Sequence, residues 1–169
     1  MAETKKDAIA LLKQDHREVE QLFKQFSSAS GEGRKEKLAR QICRELTIHA
    51  MIEEEVFYPA CEGKVEEDLL KESYVEHDAA KVLIAEIDAG EPSDEFYDAK
   101  VKVLKEEIEH HIKEEERRME GLFAQAKKAG LDMDALGVEL ADRKAQLKTQ
   151  IEAEGLPEPQ IKTFEKADV

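Results

Sequence analysis

Apolar residues recur at alternating steps of three and four along most of the chain, the spacing that lays a stripe on one face of an α-helix. Stretches rich in Gly, Pro and Ser at 27–34, 61–64, 89–94 and 128–132 break this periodicity as turns. Four long periodic segments lie between them, a shorter fifth covers about 132–153, and EGLPEPQIKTF closes the chain as an extended, proline-restricted tail. Short connections make antiparallel neighbours. The pattern therefore predicts an all-α fold, an up-down-up-down four-helix bundle with an additional C-terminal helix. On this reading residues 1–130 form the bundle, and 131–169 form a helix and tail packed on it.

The stripes are interrupted in a regular way. The first helix offers Ile9, Leu12, His16, Val19, Phe23 and Phe26. The second offers Leu38, Ile42, Leu46, His49, Glu53, Val56 and Ala60, and the third Leu70, Ser73, His77, Ala80, Ile84 and Ile87. The fourth runs through Tyr97, Val101, Leu104, Ile108, His111, Glu115, Met119 and Leu122. Each helix thus brings one His to its inner face. The same phase turns His111 inward and its neighbour His110 to the flank, because successive helical residues point about 100° apart.

Taken singly, a His on an apolar face is an ordinary hydrogen-bonded core residue, and most carboxylates of the EEE runs at 53–55 and 114–116 are expected in solvent. The joint pattern differs. Isolated carboxylates are costly to bury unless paired or bound to metal, yet Glu53 and Glu115 each fall on the stripe four residues after an inward His. Residues i and i+4 stack on one helix face, so His49 with Glu53 and His111 with Glu115 form two equivalent claws, faced by His16 and His77. Four imidazoles and two carboxylates, with no Cys in phase, suit iron or manganese, with zinc also possible.

Composition narrows the partners. With 26 basic and 40 acidic side chains the formal charge is −14, which repels phosphate backbones and anionic lipid surfaces, so neither nucleic acid nor membrane is expected as a partner. The opening residues lack the apolar run of a secretory signal, and no stretch nears the roughly 20 apolar residues of a membrane span. Cys43 and Cys61 stand 18 residues apart on what reads as one helix, about 27 Å at 1.5 Å per residue, too far for a disulfide. Reduced, buried thiols and a cytoplasmic location are expected.

The segments LLKQDHREVEQLF around His16, LTIHAMIEEEVFYPA around His49, YVEHDAAKVLI around His77 and LKEEIEHHIKEEERRM around His111 resemble the hemerythrin-like HHE cation-binding domain, over about residues 5–127. The resemblance implies a non-haem di-iron centre. His16, His49, His77 and His111 would be terminal ligands, and Glu53 and Glu115 would bridge two iron ions alongside an oxo or hydroxo group. Two departures from the oxygen-carrying hemerythrins stand out: Ser73 occupies the place of a second third-helix His, and the fourth-helix carboxylate is Glu115 at i+4 rather than a longer-spaced Asp. Counting donors leaves about two of the roughly twelve positions of an octahedral pair either open or filled by water or by a side chain such as Tyr74 or Glu45. Three functions fit: reversible binding of O₂ or nitric oxide, enzymatic consumption of peroxide, and non-redox metal storage or structural metal binding. A monomer or homodimer is expected. The fifth helix, with its stripe through Met133, Leu136, Leu140 and Leu147, is expected to cover the bundle, with a dimer contact or a lid over the centre as the alternative.

Overall fold

A computed structural model describes residues 4–165, so residues 1–3 and 166–169 of the two expected segments lie outside it. Helix α1 (Ala8–Ser28) starts at Asp7, whose side chain accepts a hydrogen bond from the Ala10 N–H. Helix α2 (Glu32–Ile52) continues through a π-helical turn at Glu53–Phe57 into α3 (Tyr58–Cys61). Then come α4 (Glu67–Ala89), α5 (Tyr97–Glu116), α6 (Leu122–Lys128) and α7 (Met133–Glu154). Around the bundle α1 packs on α2, α2 on α4, α4 on α5, and α5 back on α1. This is the predicted all-α architecture.

Buried side chains form two apolar clusters. One gathers residues such as Phe23, Ile42, Ile84 and Leu104, and the other gathers Leu12, Ile52, Phe57, Phe123 and Leu140. On α1 and α4 the inward His falls in chain order between residues of the two clusters, and on α2 and α5 the inward His and Glu stand where the chain passes from one cluster to the other, so an ionisable layer lies where the two greasy ones meet.

Helix α7 packs along α1 and α2, with Gly137, Leu140, Leu147 and Ile151 buried. Gly137 permits a close approach: a Cβ there would stand 2.5 Å from the Lys6 carbonyl oxygen. Met133 and Leu136 are only half-buried.

Four stripe positions of the bundle differ from expectation. Ile9 is half-buried because Ala8 takes the inward place at the start of α1. Val56 and Ala60 are half-buried, while Phe57, Tyr58 and Cys61 are fully enclosed, because the wider π turn shifts the helical phase of the residues after it. Pro59 accounts for the placement. It has no N–H and its ring collides with the carbonyl four residues back, so the helix widens directly before it and the Tyr58 N–H bonds the Glu53 carbonyl. Met119 is 84% exposed, because α5 ends at Glu116. The chain then folds back so tightly at Gly121 that a Cβ there would lie 2.5 Å from the Arg117 carbonyl oxygen.

Cys43 and Cys61 are free and enclosed. Burial pushes both thiols up to about 12. At pH 8 that lowers the thiolate fraction about a thousandfold below an ordinary thiol, so a disulfide-exchange reagent should label neither in the native protein and both after denaturation. Labelling of the native chain at the denatured rate would contradict this packing.

Candidate metal centre

Each of the six expected residues is buried: His16, His49, His77 and His111 retain 2–7% exposure, and Glu53 and Glu115 none. His110 instead is 66% exposed, as the helical phase requires. The structure brings all six together as two triads, His16–His49–Glu115 and Glu53–His77–His111, each able to offer one donor atom within 4.8 Å of the others. Each triad takes its carboxylate from the other claw.

The claws are linked by their acids. A Glu53 oxygen lies 2.9 Å from His49 Nε2 and 3.4 Å from His77 Nε2. Glu115 places one oxygen 3.1 Å from His16 Nε2 and the other 3.2 Å from His111 Nε2. Both carboxylates therefore reach both triads. The imidazoles also meet nitrogen to nitrogen, with His16 Nε2 3.2 Å from His49 Nε2 and His77 Nε2 3.2 Å from His111 Nε2. At most one hydrogen bond can satisfy such a pair. Both Glu53 oxygens and one Glu115 oxygen lack hydrogen-bond partners despite these approaches. Buried polar atoms without partners are rare; here they cluster with the inward nitrogens of the two triads, which is the demand cations meet.

Each ring faces an acid on its outer side, and three of the four are hydrogen-bonded to it. His49 Nδ1 pairs with Asp15 at 3.0 Å, His77 Nδ1 with Glu54 at 2.9 Å, and His111 Nδ1 with Glu76 at 3.0 Å. His16 Nδ1 stands 3.4 Å from Glu116 without hydrogen-bond geometry, and Phe123 stacks on its ring at 5.8 Å. A carboxylate on Nδ1 fixes the tautomer and aims Nε2 inward. Cations back these acids in turn. Lys144 of α7 pairs with Asp15, Lys81 and Lys162 with Glu54, and Arg17 with Glu116. Helix α7 thus does more than cover the bundle.

Sequence reasoning missed these acids, and two of them correct it. Glu54 is buried and Glu116 is 17% exposed, so the EEE runs do not turn most of their carboxylates to solvent. It also missed Tyr58. The Tyr58 hydroxyl donates to Glu115 Oε1 at 2.7 Å and lies 3.1 Å from His77 Nε2 and 3.3 Å from His111 Nε2. Tyr74, expected as a possible extra donor, touches the site only by packing edge-on against the Tyr58 ring at 5.1 Å. Glu45 is half-buried and belongs to neither triad. Ser73 is buried but donates to the Leu69 carbonyl of its own helix.

Electrostatics in the metal-free protein follow from this packing. Burial alone would push the His49 imidazole down, but Glu53 and Asp15 outweigh it and raise it from 6.5 to about 10. Burial likewise opposes ionisation of Glu115, yet His111 and His16 hold it well below 4.5. His49 therefore contributes stability that is full below pH 6.5 and is lost as pH rises through about 10. The Glu115 contribution is present above pH 4.5 and is lost on acidification. Metal must displace the His49 proton, so its affinity should climb over the range in which the metal-free protein weakens. Melting curves of chelated protein and metal titrations at pH 6.5 and 9 should move in opposite senses; parallel movement would contradict this.

Among the described residues, no helix is long and apolar enough to cross a membrane. A crystal structure of a hemerythrin HHE cation binding domain-containing protein from Mycobacterium kansasii shares the fold, with a TM-score of 0.74, 23% identity, and coverage of 89% of this chain and 95% of that one. A protein named DNA nickase from a Nostoc species is 30% identical over 106 residues, which are 63% of this chain and 30% of that protein. This chain therefore matches under a third of that relative's length. The profile of the hemerythrin HHE cation binding domain matches residues 7–123, a span that holds both triads and Tyr58. The chain belongs to the hemerythrin HHE cation-binding domain family.

Proposed function

We propose that this protein holds two iron ions between its triads and uses their remaining coordination positions to bind O₂ or a related small ligand, peroxide or nitric oxide, in the cytoplasm. The observation that carries this reading is the reach of Glu53 and Glu115 into both triads, which suits carboxylates shared by a pair of ions. His16 and His49 would serve one ion, and His77 and His111 the other. Nitrogen and carboxylate donors without thiolate fit iron or manganese, and zinc less selectively. When bound, an iron pair supplies redox chemistry and Lewis acidity at adjacent positions.

The chain's own contribution is orientation, an apolar setting and proton control. Asp15, Glu54 and Glu76 fix the imidazoles, and the apolar clusters on either side lower the polarity around them. Burial, with the charges of Glu115 and Glu53, holds the Tyr58 hydroxyl well above 10, so its proton stays on Oη and is donated to Glu115.

Tyr58 favours a second reading, an enzyme that consumes peroxide. A buried phenol beside a redox pair can give up both a proton and an electron, a liability in a reversible carrier. Strand nicking, the activity in the Nostoc relative's name, would need a surface that attracts phosphate, and a charge of −14 opposes it.

Iron-loaded protein should show a visible spectrum that azide or peroxide perturbs, and a colourless protein indifferent to both would leave only the storage or structural role. Peroxide loss with oxygen evolution that falls at least about tenfold in Tyr58→Phe, with iron content unchanged, would select the enzyme. Stoichiometric binding without turnover would select the carrier or sensor.

A further inference from the structure

The four imidazoles line one end of a cavity of about 370 Å³ between α2 and α4. On α4 the lining residues His77, Ala80, Lys81, Ile84, Ala85 and Asp88 repeat at helical steps along one face, a run of about 16 Å at 1.5 Å per residue. Val19, Leu46, Ile108 and Ile112, all buried, form its inner wall. Its roof is the C-terminal tail, through Leu156, Pro157, Pro159 and Gln160.

The tail is fastened there. The backbone N–H groups of Lys162 and Thr163 donate to Asp78 Oδ2 at 3.0 and 2.6 Å, and Lys81 Nζ donates to the Gln160 carbonyl at 2.9 Å. Asp78 is itself fully buried. An otherwise irregular segment is thus held across the mouth of a cavity that reaches the metal centre.

Size and chemistry identify the occupant. A diatomic ligand needs about the share of one water, roughly 30 Å³, and this space is on the order of a dozen times larger. Interiors are otherwise close-packed, and about 300–1,000 Å³ is the range of small-molecule pockets. The walls are chiefly aliphatic. Around the opening Asp15, Glu45, Glu55, Asp88 and Glu158 outnumber Lys81 and Lys162, and both lysines are already paired with Glu54. That balance disfavours a carboxylate or phosphate.

We propose that this cavity binds a neutral, mainly apolar organic molecule of on the order of a dozen non-hydrogen atoms, one end against the histidine cluster and the tail closed over it. Its walls belong to the chain alone, so the inference goes beyond the metal reading and can be tested on metal-free protein.

The test uses the fluorescence of N-phenyl-1-naphthylamine, a neutral apolar probe, with the metal-free chain of 169 residues. Saturable binding of one probe per chain is expected, displaced by decanol at lower concentration than by decanoate. Ala80→Phe, which fills the cavity near the centre, and Ala85→Phe, which fills its outer part, should each weaken binding at least about tenfold with unchanged helical circular dichroism. Should Ala80→Phe fail to fold, Ala85→Phe carries the test. Absence of saturable binding, an unchanged dissociation constant in the folded variants, or preferential displacement by decanoate would each overturn the proposal. None of these outcomes bears on metal binding, which is read separately by metal analysis.

Discussion

Glu115→Ala is expected to strip most metal from the protein, with an affinity loss well beyond the roughly 10–100-fold that follows removal of an outer partner of a metal-bound histidine. Glu115 is fully buried, reaches His16 and His111 from opposite triads, and accepts the Tyr58 hydroxyl. Its loss removes negative charge from both triads at once. His49→Ala should act comparably on its own triad. Asp15→Asn is the graded control: it leaves all six inward donors in place and loosens only the grip on His49 Nδ1, so its cost should stay within about 10–100-fold. His110→Ala should leave metal content intact, because that side chain is exposed and touches the site only through Glu76, 3.3 Å away. Metal analysis of the four purified variants reads the series. Equal losses at His49, His110 and Glu115 would contradict the helical phase on which the centre is built.

Removing metal from the unaltered protein should lower its melting temperature steeply. A ligand that binds only the folded state, present at a thousand times its dissociation constant, adds about 4 kcal/mol. For a chain of this length that corresponds to roughly 8–16 °C. The sign is set by the site: without a cation, Glu53 and one Glu115 oxygen remain buried without hydrogen bonds between two apolar clusters, a costly arrangement. Differential scanning calorimetry before and after exhaustive chelation tests it. Superimposable curves would show that metal contributes nothing to the folded state.

The six inward residues were legible because each lies in, or at the start of, a regular stretch where steps of three and four hold. His16, His77 and His111 sit mid-pattern, and Glu53 is the first residue of the π turn, before its phase error accumulates. Beyond that point the pattern misleads. The pattern assigns Val56 and Ala60 to the core, yet the widened turn leaves them half-buried and brings Phe57 and Tyr58 inward. The available signal was Pro59, which marks a break in the hydrogen-bond ladder without giving its form.

The outer acids were hidden for another reason. Asp15, Glu54 and Glu116 each stand one residue from an inward side chain, as does Glu76, on flanks where a chain with 40 acidic residues places carboxylates anyway. Their role depends on partners 23–35 positions away for Asp15, Glu54 and Glu76, and no single-helix periodicity carries that information. Lys144 on Asp15 and the tail on Asp78 are longer-range still.

The central claim is that six side chains from four helices share one pair of ions. Anomalous diffraction from crystals of iron-loaded protein tests it most directly. Two peaks are expected in the layer between the apolar clusters, one against His16 and His49, the other against His77 and His111, with Glu53 and Glu115 touching both. A single peak held by one triad, or iron bound outside this layer, would contradict the account.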